Sequence, residues 1–464
     1  MILKNKEYEI EIEDLNNLGY GVGHVEGSVV FVGGAVDGDR VLARIILVKK
    51  NYAIARTERI LRPSAHRSEQ AFCTYKGCGG CAYADIDYKH ELELKRERVQ
   101  MAFHKCGMKD ARIMPVFSTY KTEHYRNKAQ YPITQDSNGE YRVGFYAPKS
   151  HRVVSAVECP LQPLLFAEIL KALIEFFKAH KISAYDEETG KGLLRHIYLR
   201  ASRDEKEITL VLVINGKTLP QSELFVKEIR KQFPAVTSIM LNVNTDDTNV
   251  VCGDEYITLY GEGYLIDTMC GVSLKISPAS FYQVNRAVAE AIYTKAKELA
   301  AFKGGECLLD LYCGIGSIGL SMADSVSSLV GIEVVPQAVE CAKENAQRNG
   351  IKNASFFCAD ASGTQNIIES AERSTGQKIS FDTVILDPPR KGCAEALLEY
   401  LANGSCKKII YVSCNPDTLA RDAAFLTQNG FSMSEVYPYD MFPRTGHVES
   451  VVCLTRRLDV DMRR

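Results

Sequence analysis

The hydrophobic and polar positions along the chain change their periodicity near residue 62. Up to that point, short runs such as EYEIEIEDL, GSVVFV and DRVLARIIL alternate apolar and polar side chains, as half-buried antiparallel strands do. The turn-like segment GYGVG and the pair Gly38-Asp39 separate the runs. The pattern predicts a small antiparallel β-barrel, of the OB-like kind, in residues 1–62.

Residues 63–268 mix the two periodicities. The run QPLLFAEILKALIEFFKAH repeats its apolar positions with helical spacing, whereas HIYLRAS, ITLVLVI and SIMLNVN are short apolar runs typical of strands. We therefore expect a central α+β domain. A charged amphipathic helix is predicted over 89–106, and residues of about 90–124 are expected to pack with the domain that follows.

Residues 269–464 alternate strands and helices. The strands ECLLDLYC, SLVGIEV, DTVILDPP and KIIYVSC are nearly continuous apolar runs, as expected for strands that are buried on both faces. Alternation of such strands with helices predicts a Rossmann-like α/β domain with a doubly wound, mainly parallel sheet.

Composition and charge narrow the function classes. Hydrophobic residues make up 46% of the 464 positions and charged residues 25%, which excludes a disordered chain. No apolar run reaches the roughly 18 residues of a membrane span, and the start lacks a signal peptide, so a cytoplasmic protein without a membrane partner is expected.

The net charge of -2 means that any nucleic-acid footprint must be local. The densest candidate is the stretch 40–67, in which Glu58 is the sole acid. Its basic residues are Arg40, Arg44, Lys49, Lys50, Arg56, Arg59, Arg62 and Arg67. We expect this face of the barrel to hold RNA. The helix around Lys95, Arg96 and Arg98 is the second candidate.

A glycine loop follows the strand that ends near Asp310. The segment DLYCGIGSIG contains GxGxxG, and Glu333 ends the next strand, where it can accept hydrogen bonds from ribose hydroxyls. A dinucleotide enzyme is the alternative. Asp310, placed to face an ammonium group, and Asp387 of the Asp-Pro-Pro segment at the same sheet edge favour S-adenosylmethionine.

Three further residues of this domain, Cys414, His447 and Glu449, are the candidates for the reactive groups. Cys414 ends a strand beside Asn-Pro, and His447 and Glu449 alternate in the loop FPRTGHVE, so that both side chains are expected to point the same way, as a base and its supporting residue do. Thiolate addition at carbon 6 of uracil activates carbon 5 for methyl transfer, after which a base removes the carbon-5 proton. Cys414 and Glu449 suit these roles. Alternatives are a cytosine-carbon-5 or amine methyltransferase, or a non-catalytic RNA-binding assembly factor.

Four of the 15 cysteines form a separate group. Cys73, Cys78 and Cys81 have the spacing CxxxxCGGC, and Cys159 precedes a proline. Four thiolates suffice for tetrahedral zinc or for an iron–sulfur cluster, and the spacing alone matches the plant-type two-iron order. It is one residue longer than the CxxxCxxC of radical enzymes that use adenosylmethionine.

Over essentially its whole length the chain resembles the RNA uracil-5-methyltransferase family, particularly its iron–sulfur-containing ribosomal RNA members. The resemblance rests on CxxxxCGGC together with YRNKAQYP, SFYQVN, DLYCGIGSIGL, DPPRKG, SCNP and FPRTGHVE, in this order. It implies a TRAM-like barrel, a monomer, and 23S rRNA as substrate, with transfer RNA as the alternative. The residues that it implies are Cys414 as nucleophile, Glu449 as base, Gln283, Tyr312, Glu333 and Asp387 as cofactor contacts, and Cys73, Cys78, Cys81 and Cys159 as ligands of a [4Fe-4S] cluster.

Overall fold

The computed structural model describes residues 2–363 and 380–457. Its first sheet has six strands in the order β1-β5-β6-β4-β3-β2. These strands are β1 Glu7–Glu11, β2 Asp14–Leu15, β3 Tyr20–Val25, β4 Ser28–Gly33, β5 Arg40–Val48 and β6 Tyr52–Arg62. The pair β4–β6 is parallel, in contrast to the wholly antiparallel barrel that the sequence predicts. Val30, Val41 and Ile45 belong to its small buried core.

A seven-stranded sheet forms the centre of the second region, in the order β13-β12-β11-β10-β7-β8-β9. Its elements are α1 Tyr88–Lys105, β7 Lys128–Gln135, β8 Tyr141–Tyr146, β9 Val153–Ser155, α2 Leu164–Ala179, β10 Leu194–Ala201, β11 Ile208–Ile214, α3 Ser222–Gln232, β12 Val236–Val243 and β13 Glu255–Tyr260. The helices α2 and α3 pack through Phe166, Phe177 and Phe225 on one face of this sheet.

The third region contains the predicted doubly wound sheet. After the hairpin β14–β15, its strands follow the order β18-β17-β16-β19-β20-β23-β21, and β22 pairs with β23. The elements are β14 Leu265–Met269, β15 Val272–Ile276, α4 Arg286–Ala300, β16 Cys307–Leu311, α5 Ser317–Leu320, β17 Ser328–Glu333, α6 Pro336–Arg348, β18 Ala354–Cys358, β19 Thr383–Leu386, α7 Glu395–Asn403, β20 Lys408–Ser413, α8 Pro416–Gln428, β21 Phe431–Met433, β22 Tyr437–Tyr439 and β23 Glu449–Arg456. From β18 to β20 the pairs are parallel, so their carboxyl ends share one edge.

Helix α1 joins the third region although it precedes the central sheet. Val99 and Phe103 are fully buried in the same apolar cluster as Leu419 of α8. Among the described residues, no helix has both the length and the apolar character that a membrane crossing requires.

The three basic residues of α1 that the sequence singles out, Lys95, Arg96 and Arg98, all bind other parts of the protein. Lys95 is 1% exposed, and its Nζ donates to Glu91 Oε1 and to Asp440 Oδ1, each at 2.6 Å. Arg96 donates to the carbonyl oxygen of Ile113, and Arg98 to that of Gly446. Lys95 and Arg98 therefore anchor the loop before β23, whereas Arg96 binds the segment around Ile113 and stays exposed, so RNA binding by this helix remains a prediction.

Five of the eight cations in the stretch 40–67 are also paired. The partners lie on β1 and β6: Arg40 pairs with Glu9, Arg44 with Glu7 and Glu58, Arg56 with Glu58, and Arg62 with Glu11, while Arg67 binds the buried Asp39. In the described chain, Lys49, Lys50 and Arg59 have no such ion pair. Because the acidic strand β1 pairs with β5, its carboxylates neutralise part of the positive charge that the sequence predicts for the stretch 40–67.

We expect these two groups of barrel cations to contribute differently to RNA binding. The triple variant Lys49→Gln/Lys50→Gln/Arg59→Gln should lower the salt slope of RNA binding by up to about three, since each phosphate contact contributes about one unit. The matched variant Arg40→Gln/Arg44→Gln/Arg62→Gln should lower it less. Equal slopes for both variants in a salt titration would contradict this expectation.

Candidate active site and cysteine cluster

Cys414 and Glu449 lie at the same edge of the third sheet. In the antiparallel pair β20–β23, Ser413 is opposite Ser450. Cys414, which follows Ser413, therefore lies beside Glu449, which precedes Ser450. Asn415 caps α8 by accepting a hydrogen bond from the Asp417 backbone, and its Nδ2 donates to the carbonyl oxygen of Arg390 at 2.9 Å. The Cys414 loop and the Asp387 loop are therefore tied together.

The electrostatics of this edge favour a cation. Burial raises the pKa of Glu449 to about 8, with Asp387 adding to the shift and Arg390 opposing it. Burial alone raises the pKa of Asp387 to about 7. Burial, Glu449 and Asp387 raise the pKa of the Cys414 thiol to about 11. Two carboxyl groups and a thiol that resist ionisation would all be stabilised in their charged forms by a bound cation such as a sulfonium.

The raised pKa of Cys414 predicts its reactivity in the ligand-free protein. Because the thiolate is the reactive form, alkylation of Cys414 by iodoacetamide should accelerate about tenfold per pH unit between about pH 7 and pH 10. Glu449→Gln removes a neighbouring negative charge and should shift this profile to lower pH. A plateau above pH 8, measured by mass spectrometry of the Cys414 peptide, would contradict the prediction.

The glycine loop lies where its sequence predicts, after β16. Asp310 is fully buried, its Oδ2 accepts a hydrogen bond from the Gly319 backbone at 2.9 Å, and its Oδ1 has no partner in the described structure. A Cβ on Gly319 would lie 2.7 Å from that Oδ2, which explains the glycine. Burial raises the pKa of Asp310 to about 7. A cationic ligand near this edge would also favour ionised Asp310.

Glu333 and Tyr312 border the same loop. Glu333 Oε2 accepts a hydrogen bond from the Gly314 backbone at 3.1 Å, and Oε1 accepts one from Val335 at 2.9 Å, so the carboxylate is fixed at the end of β17. Tyr312 has a left-handed backbone with φ of 62° at the point where β16 turns into the loop. Both residues thus reach the ligand edge from adjacent strands.

Gln283 reaches this region from the segment before α4. It is buried, its carbonyl oxygen accepts a hydrogen bond from Asn127 Nδ2 at 2.9 Å, and the Asn127 backbone donates to the carbonyl oxygen of Val284. Asn285 Nδ2 donates to the carbonyl oxygen of Met441, which directly precedes the FPRTGHVE loop. The segment 280–285 is therefore held between the central sheet and the loop that carries Glu449.

Sequence reasoning missed an apolar surface next to Glu333. Val334 is 58% exposed and Val335 45% exposed, and Phe357 at the end of the neighbouring β18 is 42% exposed. Apolar side chains left uncovered at the carboxyl edge of a parallel sheet suit a flat ring of a ligand. The available signal was the pair of valines placed directly after the acidic residue.

His447 has a different environment from that expected. His447 lies outside β23, which begins at Glu449. Among the described contacts there is no hydrogen bond between the side chains of His447 and Glu449. Burial lowers the pKa of His447 to about 4, and Arg390 and Arg98 lower it further. His447 is therefore neutral near pH 7, and its ring meets Phe442 edge to face.

The four predicted cluster cysteines converge. Burial raises the pKa of Cys81 to about 12 and that of Cys159 to about 11, and in both cases the neighbouring cysteine thiols add to the shift. The backbone N–H groups of Tyr75 and Gly80 point at Cys73 Sγ and Cys78 Sγ, each at 3.4 Å. Hydrogen bonds to sulfur of this kind tune iron–sulfur clusters.

No three of the four sulfur atoms of these cysteines lie within 4.8 Å of one another. Among the described residues, the group of three possible ligand atoms that does lie within this distance belongs to Asp37, His66 and His90, not to these cysteines. Tetrahedral zinc with Zn–S distances of about 2.3 Å would bring its sulfur atoms closer than this. Four converging thiols at a wider spacing fit a polynuclear cluster.

The comparisons with known proteins agree with this architecture. The tRNA (uracil-5-)-methyltransferase family matches residues 87–457, and the TRAM domain matches residues 3–57. An uncharacterized RNA methyltransferase of Clostridium tetani is 38% identical, with 98% of this chain and 97% of that protein covered. One of Clostridium acetobutylicum is 37% identical, with 98% of both chains covered.

A solved structure extends the likeness to three dimensions. The tRNA (uracil-54, C5)-methyltransferase of Pyrococcus abyssi, solved with S-adenosyl-L-homocysteine, has a TM-score of 0.76 and 27% identity, covering 96% of this chain and 99% of that one. The sequence-based resemblance and the expected cofactor, S-adenosylmethionine, are confirmed. The chain belongs to the tRNA (uracil-5-)-methyltransferase family and is an S-adenosylmethionine-dependent RNA (uracil-5-)-methyltransferase.

Proposed function

We propose that this enzyme methylates carbon 5 of a uridine in 23S rRNA, with Cys414 as nucleophile and Glu449 as base. The observation that carries the proposal is the meeting of a half-buried thiol and a buried carboxyl group at the sheet edge next to Asp387. Nucleophile and base must reach the same pyrimidine ring, and adjacent strands supply that proximity.

The chemical steps follow from the two side chains. Cys414 releases its proton to solvent and its thiolate sulfur bonds to carbon 6 of uracil, while the π bond between carbons 5 and 6 opens and its electrons form an enolate that is nucleophilic at carbon 5. S-adenosylmethionine supplies an electrophilic methyl group, so the new C–C bond at carbon 5 forms as the S–CH3 bond breaks. Glu449 then takes the carbon-5 proton, the bond between carbon 6 and Cys414 breaks, and the thiolate is released. A carboxyl group with a pKa of about 8 is suited to receive a proton near neutral pH.

Four residues are proposed to hold the cofactor. Glu333 would accept hydrogen bonds from the ribose hydroxyls, and Asp387 would face the sulfonium from the edge that it shares with Cys414. Gln283 and Tyr312 would border it from the segment before α4 and from the glycine loop. Val334 would provide apolar contact for the adenine ring.

Transfer RNA is the second candidate substrate. The Pyrococcus abyssi structure is of an enzyme for uracil-54 of tRNA, which favours it, whereas the iron–sulfur cysteines of the resembling ribosomal RNA enzymes favour 23S rRNA. Mapping of 5-methyluridine in RNA from a deletion strain separates the two. Loss of the nucleoside from 23S rRNA alone would support the proposal, and loss from tRNA alone would overturn it.

We further propose that Cys73, Cys78, Cys81 and Cys159 hold a [4Fe-4S] cluster. With all four ligands supplied by the chain, no iron would remain open to substrate, so the cluster would support the fold around Arg126 rather than catalyse.

The cluster proposal predicts a measurable iron content. Protein purified without oxygen should be brown and contain about four irons per chain, and Cys78→Ala or Cys159→Ala should lose iron and lower solubility or RNA binding. The control variant Cys307→Ala changes a cysteine at the start of β16 that is not one of the four proposed ligands, and it should keep its iron. Stoichiometric zinc without iron in elemental analysis would refute the cluster.

A further inference from the structure

The central sheet has a second face that α2 and α3 do not cover. In the β7–β10 pair, Lys128 is opposite Arg200, and Gln130 is opposite Tyr198. In the β10–β11 pair, Arg200 is opposite Thr209. Because opposed side chains share a face, Lys128, Arg200 and Thr209 form one row across three strands. Arg126 precedes the row by two residues.

The cations of this face have no counter-charge. Lys128 Nζ lies 5.4 Å from the ring centroid of Tyr198, and within the described chain it makes no ion pair or hydrogen bond. The pKa of Lys128 is lowered to about 8 by burial, then by Arg200 and Arg126. Arg126 likewise stacks on an aromatic ring, that of Phe442, and has no carboxylate partner among the described residues. Cations that lower the pKa of a neighbouring lysine in this way are stabilised when an anion binds between them.

Some buried polar atoms on the same face have no hydrogen-bond partner in the described structure. Tyr198 is 0% exposed and Arg200 1% exposed, and neither Tyr198 Oη nor Arg200 Nε has a hydrogen-bond partner in the described structure. Thr209 Oγ1 in the same row is also unpartnered. The terminal nitrogens of Arg200 donate to the carbonyl oxygens of Ser277 and Ser280, so Arg200 is held inside the protein and adds positive charge beside the half-buried Lys128.

The position of these residues connects them to the reaction centre. Arg200 donates to the carbonyl oxygen of Ser280, and Asn127, between Arg126 and Lys128, binds the backbone of Gln283. Arg126 is close enough to His447 to help lower its pKa. The row therefore lies beside the proposed cofactor segment and the FPRTGHVE loop.

We propose that Arg126 and Lys128, with the buried Arg200 behind them, form a phosphate-binding subsite that holds a backbone phosphodiester of the RNA near the target uridine. The proposal rests on the proposed function only in assigning the target uridine to Cys414. RNA carries one phosphate per nucleotide, and such contacts set the position of the strand. Since five of the eight cations in the stretch 40–67 are paired within the protein, Arg126 and Lys128, which have no carboxylate partner in the described chain, are stronger candidates for direct phosphate contact.

The test is a salt titration of RNA binding by the full-length protein. The probe is a fluorescein-labelled oligouridylate of about 15 nucleotides, in the range of single-strand binding sites. Lys128→Gln should weaken its binding about tenfold and lower the salt slope by about one unit. Lys128→Arg should restore the slope. The control Lys171→Gln, whose lysine already pairs with Glu158, should change neither value.

Three results would overturn the subsite. One is an unchanged slope in folded Lys128→Gln. Another is a loss of S-adenosylmethionine affinity without loss of RNA affinity, which would assign these cations to the cofactor carboxylate. If Lys128→Gln does not fold, Arg126→Gln is measured in its place. The third result is an unchanged salt slope of RNA binding in Arg126→Gln. Cys414→Ala should bind the probe with the wild-type slope, so failure of the proposed chemistry would be seen separately, in an adduct assay.

Discussion

Replacement of Cys414 by alanine should abolish methyl transfer while leaving S-adenosylmethionine affinity within about twofold. Loss of a covalent nucleophile typically lowers turnover by about 10⁴-fold or more, because the activated intermediate no longer forms. Cys414 lies on the Asn415 loop, outside the glycine loop and Glu333 that border the nucleotide site. Calorimetric titration of the cofactor and a tritium-release assay from carbon 5 measure the two effects independently.

Cys307→Ala is the matched control for this variant. Cys307 begins β16 at the opposite end of the sheet, where its Sγ contacts Ser327 Oγ. Its replacement should leave turnover unchanged. Substantial turnover by Cys414→Ala would remove this thiol from the mechanism, and equal losses in both variants would indicate general destabilisation.

Glu449→Gln should stall the enzyme after methyl transfer. The carbon-5 proton cannot leave, so the thiolate cannot be eliminated and the RNA stays attached to the protein. Because burial raises the pKa of Glu449 to about 8 in the ligand-free protein, a neutral amide resembles the protonated carboxyl group that prevails there before the sulfonium binds, and the fold should persist. The expected observable is a methylated protein–RNA adduct that survives denaturing electrophoresis.

The double variant Cys414→Ala/Glu449→Gln controls for unspecific attachment. It should form no adduct, since the bond to carbon 6 requires the Cys414 sulfur. If Glu449→Gln instead releases methylated RNA at the wild-type rate, another group removes the proton. Asp387, the buried carboxyl group at the same edge, would then be tested next.

The sequence located this edge well because its signals are local. A strand that runs into a glycine loop places Asp310 and Tyr312 at a carboxyl end, and the same rule places Asp387 and Cys414. Parallel strands end together, so four separated motifs could be assigned to one edge. The adjacency of Glu449 required one further fact, the antiparallel register of β23.

Features that depend on long-range register were not predictable. The pairing of Arg40 and Arg44 with acids of β1 follows from the β1–β5 register, which no local pattern reveals. Similarly, Lys95 looks like a surface cation in the helical pattern, but a residue 345 positions away, Asp440, buries and neutralises it. Charge counts along a chain therefore overstate the basic surface wherever acids are brought in from another strand.

The central claim, covalent catalysis by Cys414, is tested most directly with RNA that contains 5-fluorouridine. Fluorine cannot leave carbon 5 as a proton does, so the wild-type enzyme should accumulate a bound, methylated nucleotide. After digestion, mass spectrometry should find this nucleotide on the peptide that contains Cys414. A nucleotide attached to another residue, or methyl transfer to this RNA without any covalent adduct, would contradict the account.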